Sequence, residues 1–185
     1  VEQMECVLDD EGVDVAPAVQ QGWLRPTGTK LAVAHDLLAS TIRASLDDET
    51  RALFHRRAAA WFAAREPLTS AEHLERAGDP GAAPAYLSVA REALAQHRLD
   101  LAESVVGRVD ACPTEPAVAF EAVCLRGDIR RARGDAAGSH AVFAQAAADL
   151  TRAYPAHDVA LYLSTLYAQD PQTWKNLSGL PQLEI

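Results

Sequence analysis

A histidine and an aspartate, His35 and Asp36, stand side by side where a short apolar segment gives way to a helical pattern. The first backbone N–H groups of a helix lack partners within the helix, and together with the helix dipole they favour an anion. A histidine at this position can donate a hydrogen bond to a phosphate. Residue types alone favour a simpler role, in which Asp36 complements the dipole and His35 caps the turn.

The remaining residues with reactive side chains form no recognisable catalytic constellation. The sequence contains no GxxxxGK(S/T), GxGxxG, GxSxG or HExxH motif. Cys124 falls on an apolar helical stripe, and we expect it to be a small core residue rather than a nucleophile. We expect the other histidines to be single, partly exposed helix residues: His55, His73, His97, His140 and His157. The sequence therefore predicts no catalytic residue, no metal site and no enzyme.

The charge balance argues against nucleic acid as a direct partner. The 185 residues carry a formal net charge of −9. Binding to a phosphate backbone requires a basic surface that displaces condensed counterions. We therefore expect this chain to make no direct contact with DNA or RNA.

Cysteine usage and hydropathy predict a cytoplasmic protein. The number of cysteines, three, is odd, and no CxxC spacing occurs. Both observations fit a reducing compartment without a disulfide framework. No apolar run reaches the roughly 18 residues that a membrane span requires. The first residues show no signal-peptide pattern and no initiator Met, so we expect a piece of a longer cytoplasmic chain with no membrane contact.

Residues 1–66 follow the order helix, helix, hairpin, helix. Short helices are expected over residues 4–8 and 17–21, and a Gly-containing turn at residues 27–29 predicts a β-hairpin. Leu38, Ile42 and Leu46 share one helical face, and Asp47 is then a suitable N-cap for the next helix. Because this order is typical of a winged helix, we predict a winged-helix-like domain over residues 1–66.

Residues 67–155 show a helical period interrupted by short breaks. Residues 69–72 have the spacing of a capping box and are expected to open a helix. Gly78 is expected to end that helix, with Asp79 as N-cap and Pro80 as first residue of the next. Further breaks fall at residues 98–100, 112–116, 134–135 and 154–155. The predicted fold is mainly α, with helical hairpins that stack as an α-solenoid.

Residues 120–155 match a tetratricopeptide unit in part. Such a unit of about 34 residues has small residues where its two helices cross and an anchor on the second helix. The matching residues are Gly127 at the crossing, Gly134 in the turn, Ser139, Phe143 as the anchor and Ala146. We therefore predict tetratricopeptide-like hairpins over residues 67–155, followed by a further helix and an irregular tail over residues 156–185.

Three segments, residues 33–38, 50–57 and 71–79, resemble the region after the ATPase domain in STAND signal-transduction ATPases, above all the large ATP-binding LuxR-type transcriptional regulators. The resemblance implies a winged helix followed by a helical sensor array, with ADP or ATP bound by the parent protein and no cofactor in this fragment. His35 and Asp36 resemble the MHD motif of that class, with Ala34 in place of Met. This resemblance implies that His35 reaches the β-phosphate of ADP and that Asp36 orients it.

Two functional hypotheses follow. In the first, the chain is a non-catalytic regulatory fragment whose winged helix contacts the adjacent ATPase domain and whose repeats bind an inducer or partner protein. In the second, the chain is a protein–protein interaction scaffold of tetratricopeptide type with no nucleotide role.

Overall fold

The computed structural model describes residues 14–28 and 30–153. Over these residues the chain is mainly helical, with eight α-helices and one two-stranded sheet. No helix among them is both long enough and apolar enough to cross a membrane. The helix expected at residues 4–8 and the helix and tail expected over residues 156–185 lie outside the described residues.

Contacts divide the chain into two compact units, residues 1–82 and 83–185. The described part of the first unit contains α1 (Ala16–Gln20), β1 (Leu24–Thr27), β2 (Lys30–Val33), α2 (Asp36–Ser45), α3 (Asp48–Phe62) and α4 (Pro67–Arg76). The described part of the second contains α5 (Ala82–Ala95, whose first residue ends the first unit), α6 (Leu99–Val109), α7 (Pro116–Ala132) and α8 (Ala136–Ala153).

The predicted hairpin is present. Strands β1 and β2 pair antiparallel, with Leu24 opposite Val33 and Thr27 opposite Lys30. Gly28 adopts φ +62° in the turn and Gly22 adopts φ +73° before β1. Both are left-handed conformations that glycine adopts without the steric cost of a Cβ. The short helix before the hairpin begins at Ala16, one residue earlier than the sequence predicts.

Helix α3 begins as the sequence predicts. Asp47 Oδ1 accepts a hydrogen bond of 2.7 Å from the backbone N–H of Thr50, and Asp47 Oδ2 accepts one of 3.0 Å from the Thr50 hydroxyl. The backbone bond, followed by the hydroxyl bond, lowers the pKa of the Asp47 carboxyl below its ordinary value. A carboxylate at this position satisfies a backbone donor of the first helical turn.

The predicted capping box at residues 69–72 is wrong. Helix α4 begins two residues earlier, at Pro67, because proline suits the first helical position, where its missing N–H costs nothing. Thr69 donates its hydroxyl to the Glu66 carboxylate at 3.0 Å. Ser70 is buried and donates its hydroxyl to the carbonyl oxygen of Ala59 at 2.8 Å, which ties α4 to α3.

The connection after α4 differs in part from the prediction. Gly78 adopts φ +62° just past the helix end, as expected. Helix α5, however, begins at Ala82 and not at Pro80. The Asp79 carboxylate accepts a hydrogen bond of 2.8 Å from the N–H of Gly81 and lies 3.3 Å from Arg56 Nε. Asp79 therefore stabilises the turn and its attachment to α3.

The second unit has an apolar core built from all four of its described helices. The apolar stripe on α6 is buried in full and comprises Ala102, Val105, Val106 and Val109. Buried partners come from the other helices: Tyr86, Leu87, Ala90, Phe120, Cys124, Ile129, Phe143 and Ala146. Alanines such as Ala90, Ala102 and Ala146 lie between the larger side chains and allow the helices to approach closely.

His97 does not lie on a helix, contrary to the prediction. Helix α5 ends at Ala95, and the N–H of Arg98 bonds the carbonyl oxygen of Ala93 at 2.8 Å. His97 occupies the intervening turn with φ +56°. The helical period of α5 therefore does not extend to His97, because the helix ends at Ala95.

Candidate functional site

The junction between β2 and α2 carries the sequence-predicted pair His35 and Asp36. His35 is the N-cap residue, with extended backbone angles of φ −130° and ψ 130°, and Asp36 is the first residue of the helix. Both side chains are exposed. The hairpin fixes the junction, because the N–H of Ala34 donates to the carbonyl oxygen of Trp23 at 2.8 Å.

The His35 side chain makes no hydrogen bond that caps α2. The capping role considered for it is therefore not realised in this structure. Asp36 supplies an acidic side chain in the first turn, where it complements the helix dipole. An exposed imidazole at a helix start has an N–H that can donate to an anion presented by a neighbouring body.

The described residues around this junction form no buried core. Between residues 14 and 57, no side chain that the structure describes is buried. The exposed large apolar side chains of the described chain all fall in this segment: Trp23 (55% exposed), Leu37 (79%), Ile42 (46%) and Leu53 (41%). We call these four residues the exposed apolar set. Leu37 follows Asp36 directly, so the most exposed member adjoins the predicted site.

A second group of side chains, made of three rings, joins α3 to α4. His55 Nδ1 and His73 Nδ1 lie 2.9 Å apart, with their ring centroids separated by 5.2 Å. Phe62 stacks on the His73 ring at 5.6 Å with an interplanar angle of 8°. Burial lowers the pKa of both histidines, and positive neighbours lower it further.

His55 and His73 are partly exposed helix residues, as predicted, but the prediction that they are single is wrong. His55 and His73 are separated by 18 positions in the chain and meet only because α3 packs against α4. No local spacing indicates such a contact. The contact could have been predicted by aligning the two helices as an antiparallel hairpin whose turn lies at residues 63–66.

Cys112 and Cys124 are both buried thiols. The burial of Cys124 agrees with the expected core position. Within residues 14–28 and 30–153, no three histidine, cysteine, aspartate or glutamate side chains are grouped as a metal ion would require.

Comparisons with family models, curated proteins and solved structures found no match to this chain.

Proposed function

We propose that the chain is a non-catalytic sensor and regulatory fragment of a STAND-type ATPase transcriptional regulator. In this proposal residues 14–57 dock on the adjacent ATPase domain, and the helical hairpins bind an inducer or partner protein. One observation carries the proposal: residues 14–57 lack any buried described side chain and contain the whole exposed apolar set.

The energetics of that segment favour docking. Ordering a residue costs about 1–2 kcal/mol of backbone conformational entropy, which burial must offset. None of the described side chains in the segment is fully buried within this chain. Burying a large apolar side chain contributes about 1.5–3 kcal/mol, so covering the exposed apolar set supplies stabilisation that the segment otherwise lacks. Four large apolar side chains are exposed within this one segment, and exposed apolar surface is typical of interaction sites.

The position of His35 connects docking to nucleotide state. A domain that covers Leu37 comes within one helical turn of His35 and Asp36. We infer that His35 donates to the β-phosphate of ADP held by that domain, and that Asp36 orients it. ADP or ATP then belongs to the parent protein, and the bound nucleotide biases an off/on equilibrium through its differential contact with this helix start.

The finer architecture belongs to the same proposal. The order α1, β1, β2, α2 is compatible with a winged helix that serves inside the protein, and the net charge of −9 disfavours direct nucleic-acid contact. The contact between Gly127 on α7 and Phe143 on α8 supports tetratricopeptide-like packing. A cytoplasmic location with no membrane contact fits such a regulator.

One observation favours the alternative of a simple interaction scaffold. Helices α5–α8 share an apolar core to which each of them contributes buried side chains. Such a unit is able to bind a peptide or protein with no nucleotide present. The two proposals differ in what they require of His35.

Calorimetric titration of ADP into the chain extended upstream through its neighbouring domain separates the proposals. The regulatory proposal expects His35→Ala to weaken ADP binding, by the roughly tenfold or more that a charge-assisted hydrogen bond contributes. His140→Ala, at an exposed position on α8, is the matched control and should bind as the unaltered chain does. Equal ADP affinity in all three proteins would support the scaffold.

A further inference from the structure

We propose that His55 and His73 form a proton-operated latch between α3 and α4, which stays closed with one shared Nδ1 proton and opens when both imidazoles carry a proton there. The latch is independent of any nucleotide role for His35, so either proposal can fail without the other.

The distance between the two Nδ1 atoms determines how many protons can lie between the rings. At 2.9 Å, the two Nδ1 atoms are at hydrogen-bond distance, so one ring donates and the other accepts through its lone pair. In the neutral pair the accepting ring carries its proton on Nε2. A first added proton goes to a free ring nitrogen and leaves the N–H···N bond intact. A second added proton occupies the accepting lone pair, so two N–H groups then face each other with like charge.

The surroundings oppose the second proton. Positive groups act on the pair from both helices, Arg51 from α3 and Arg76 from α4, and the two side chains are partly desolvated. Glu72 on α4 is the acidic group that acts on His73 in the opposite sense. Its carboxylate also lies 3.7 Å from Arg76, which offsets its charge. The stacked ring of Phe62 supplies no counter-charge.

The hairpin has further ties that decide which part opens. Near the connection between α3 and α4, the buried Ser70 hydroxyl holds the Ala59 carbonyl oxygen. His55 and His73 lie farther from that connection along both helices. Double protonation therefore loosens the hairpin at the histidine pair and beyond it, where the half-exposed Arg56–Asp79 ion pair opposes the opening, while the Ser70 bond remains. Leu53, a member of the exposed apolar set, lies two residues from His55 and moves with the loosened end.

Histidine-ring nitrogen NMR and amide hydrogen exchange on the full chain test the latch between about pH 7.5 and about pH 5, a range that spans the ordinary histidine pKa of ~6.5. Exchange is corrected for its intrinsic pH dependence. An open state that binds one more proton gains about tenfold in population per pH unit. We expect amides of α3 and α4 near the pair to gain exposure at about this rate on acidification, at the pH where the second Nδ1 becomes protonated.

Variants assign the effect to the pair. His73→Gln replaces one of the two titrating rings with a hydrogen-bonding amide, so two Nδ1–H groups can no longer face each other. This variant should therefore lose the pH-dependent gain in amide exchange. His140→Gln, at an exposed position on α8, should retain it. Retention of the full gain in His73→Gln would overturn the latch. So would ring spectra of the unaltered chain with both Nδ1 atoms protonated and no change in α3–α4 exchange, a result that does not depend on how well the variant folds.

Discussion

The ring of Phe143 fills the space that a side chain at Gly127 would need. A Cβ built on Gly127 would lie 2.7 Å from Phe143 Cζ and 2.8 Å from Phe143 Cε2. Both residues are buried, one on α7 and the other on α8. The close approach of these two helices therefore depends on a missing methyl group at position 127.

Gly127→Ala is expected to destabilise the chain, because the aromatic ring has to shift within a packed core. Overpacking of this kind costs about 1–3 kcal/mol. Gly107→Ala on α6 is the matched control, since nothing lies within 4 Å of its Cβ position. The control should gain about 0.5–1 kcal/mol from helix propensity. Urea unfolding measures both, and equal stability of the two variants would contradict the Gly127–Phe143 account.

The His55–His73 pair predicts a pH dependence of global stability. Both histidines have a folded-state pKa below the ordinary value, chiefly because of burial. The unfolded chain therefore binds more protons below about pH 6.5, and stability falls as pH decreases through that value towards the folded pKa. Unfolding curves at several pH values should give an uptake of at most about two protons from this pair. His55→Gln should reduce the slope, whereas an unchanged slope would contradict the assignment.

Leu37, a member of the exposed apolar set, should contribute little to the stability of the isolated chain and more to docking. Leu37→Ala should change the stability of the isolated chain by about 0.5 kcal/mol or less, because Leu37 is 79% exposed. Leu87→Ala, at a fully buried leucine, should cost about 2–5 kcal/mol. In the chain extended upstream, Leu37→Ala should instead reduce the hydrogen-exchange protection of residues 14–57. Identical protection with and without the Leu37 side chain would count against docking through Leu37.

Arg133 predicts a small, salt-dependent contribution to stability. Its guanidinium lies 2.6 Å from Asp100 and 2.5 Å from Glu103, so it links the end of α7 to α6. Exposed ion pairs contribute about 0–1 kcal/mol each. Arg133→Ala should therefore lower the unfolding free energy by about 1 kcal/mol at low salt, and the difference should shrink at about 1 M salt. A loss that is independent of salt would indicate packing of the side chain as the cause.

The sequence by itself determined the features that depend on a few neighbouring residues. The glycines at positions 28, 78 and 134 mark turns because only glycine adopts their left-handed backbone cheaply. Asp47 marks a helix start because its carboxylate reaches a backbone N–H three residues ahead. Apolar spacing on α6 marks its buried face because a helix repeats every 3.6 residues. Each of these relationships involves residues that lie within one or two helical turns of one another in the sequence.

The tertiary structure alone decided which distant side chains meet and which surfaces stay uncovered. His55 and His73 pair because α3 packs against α4 in one particular alignment. The apolar face of Leu38, Ile42 and Leu46, predicted from their spacing, leaves Ile42 46% exposed because no described part of the chain covers it. A hydrophobic period states that a face favours burial. Whether it is buried depends on the partner that the rest of the fold provides.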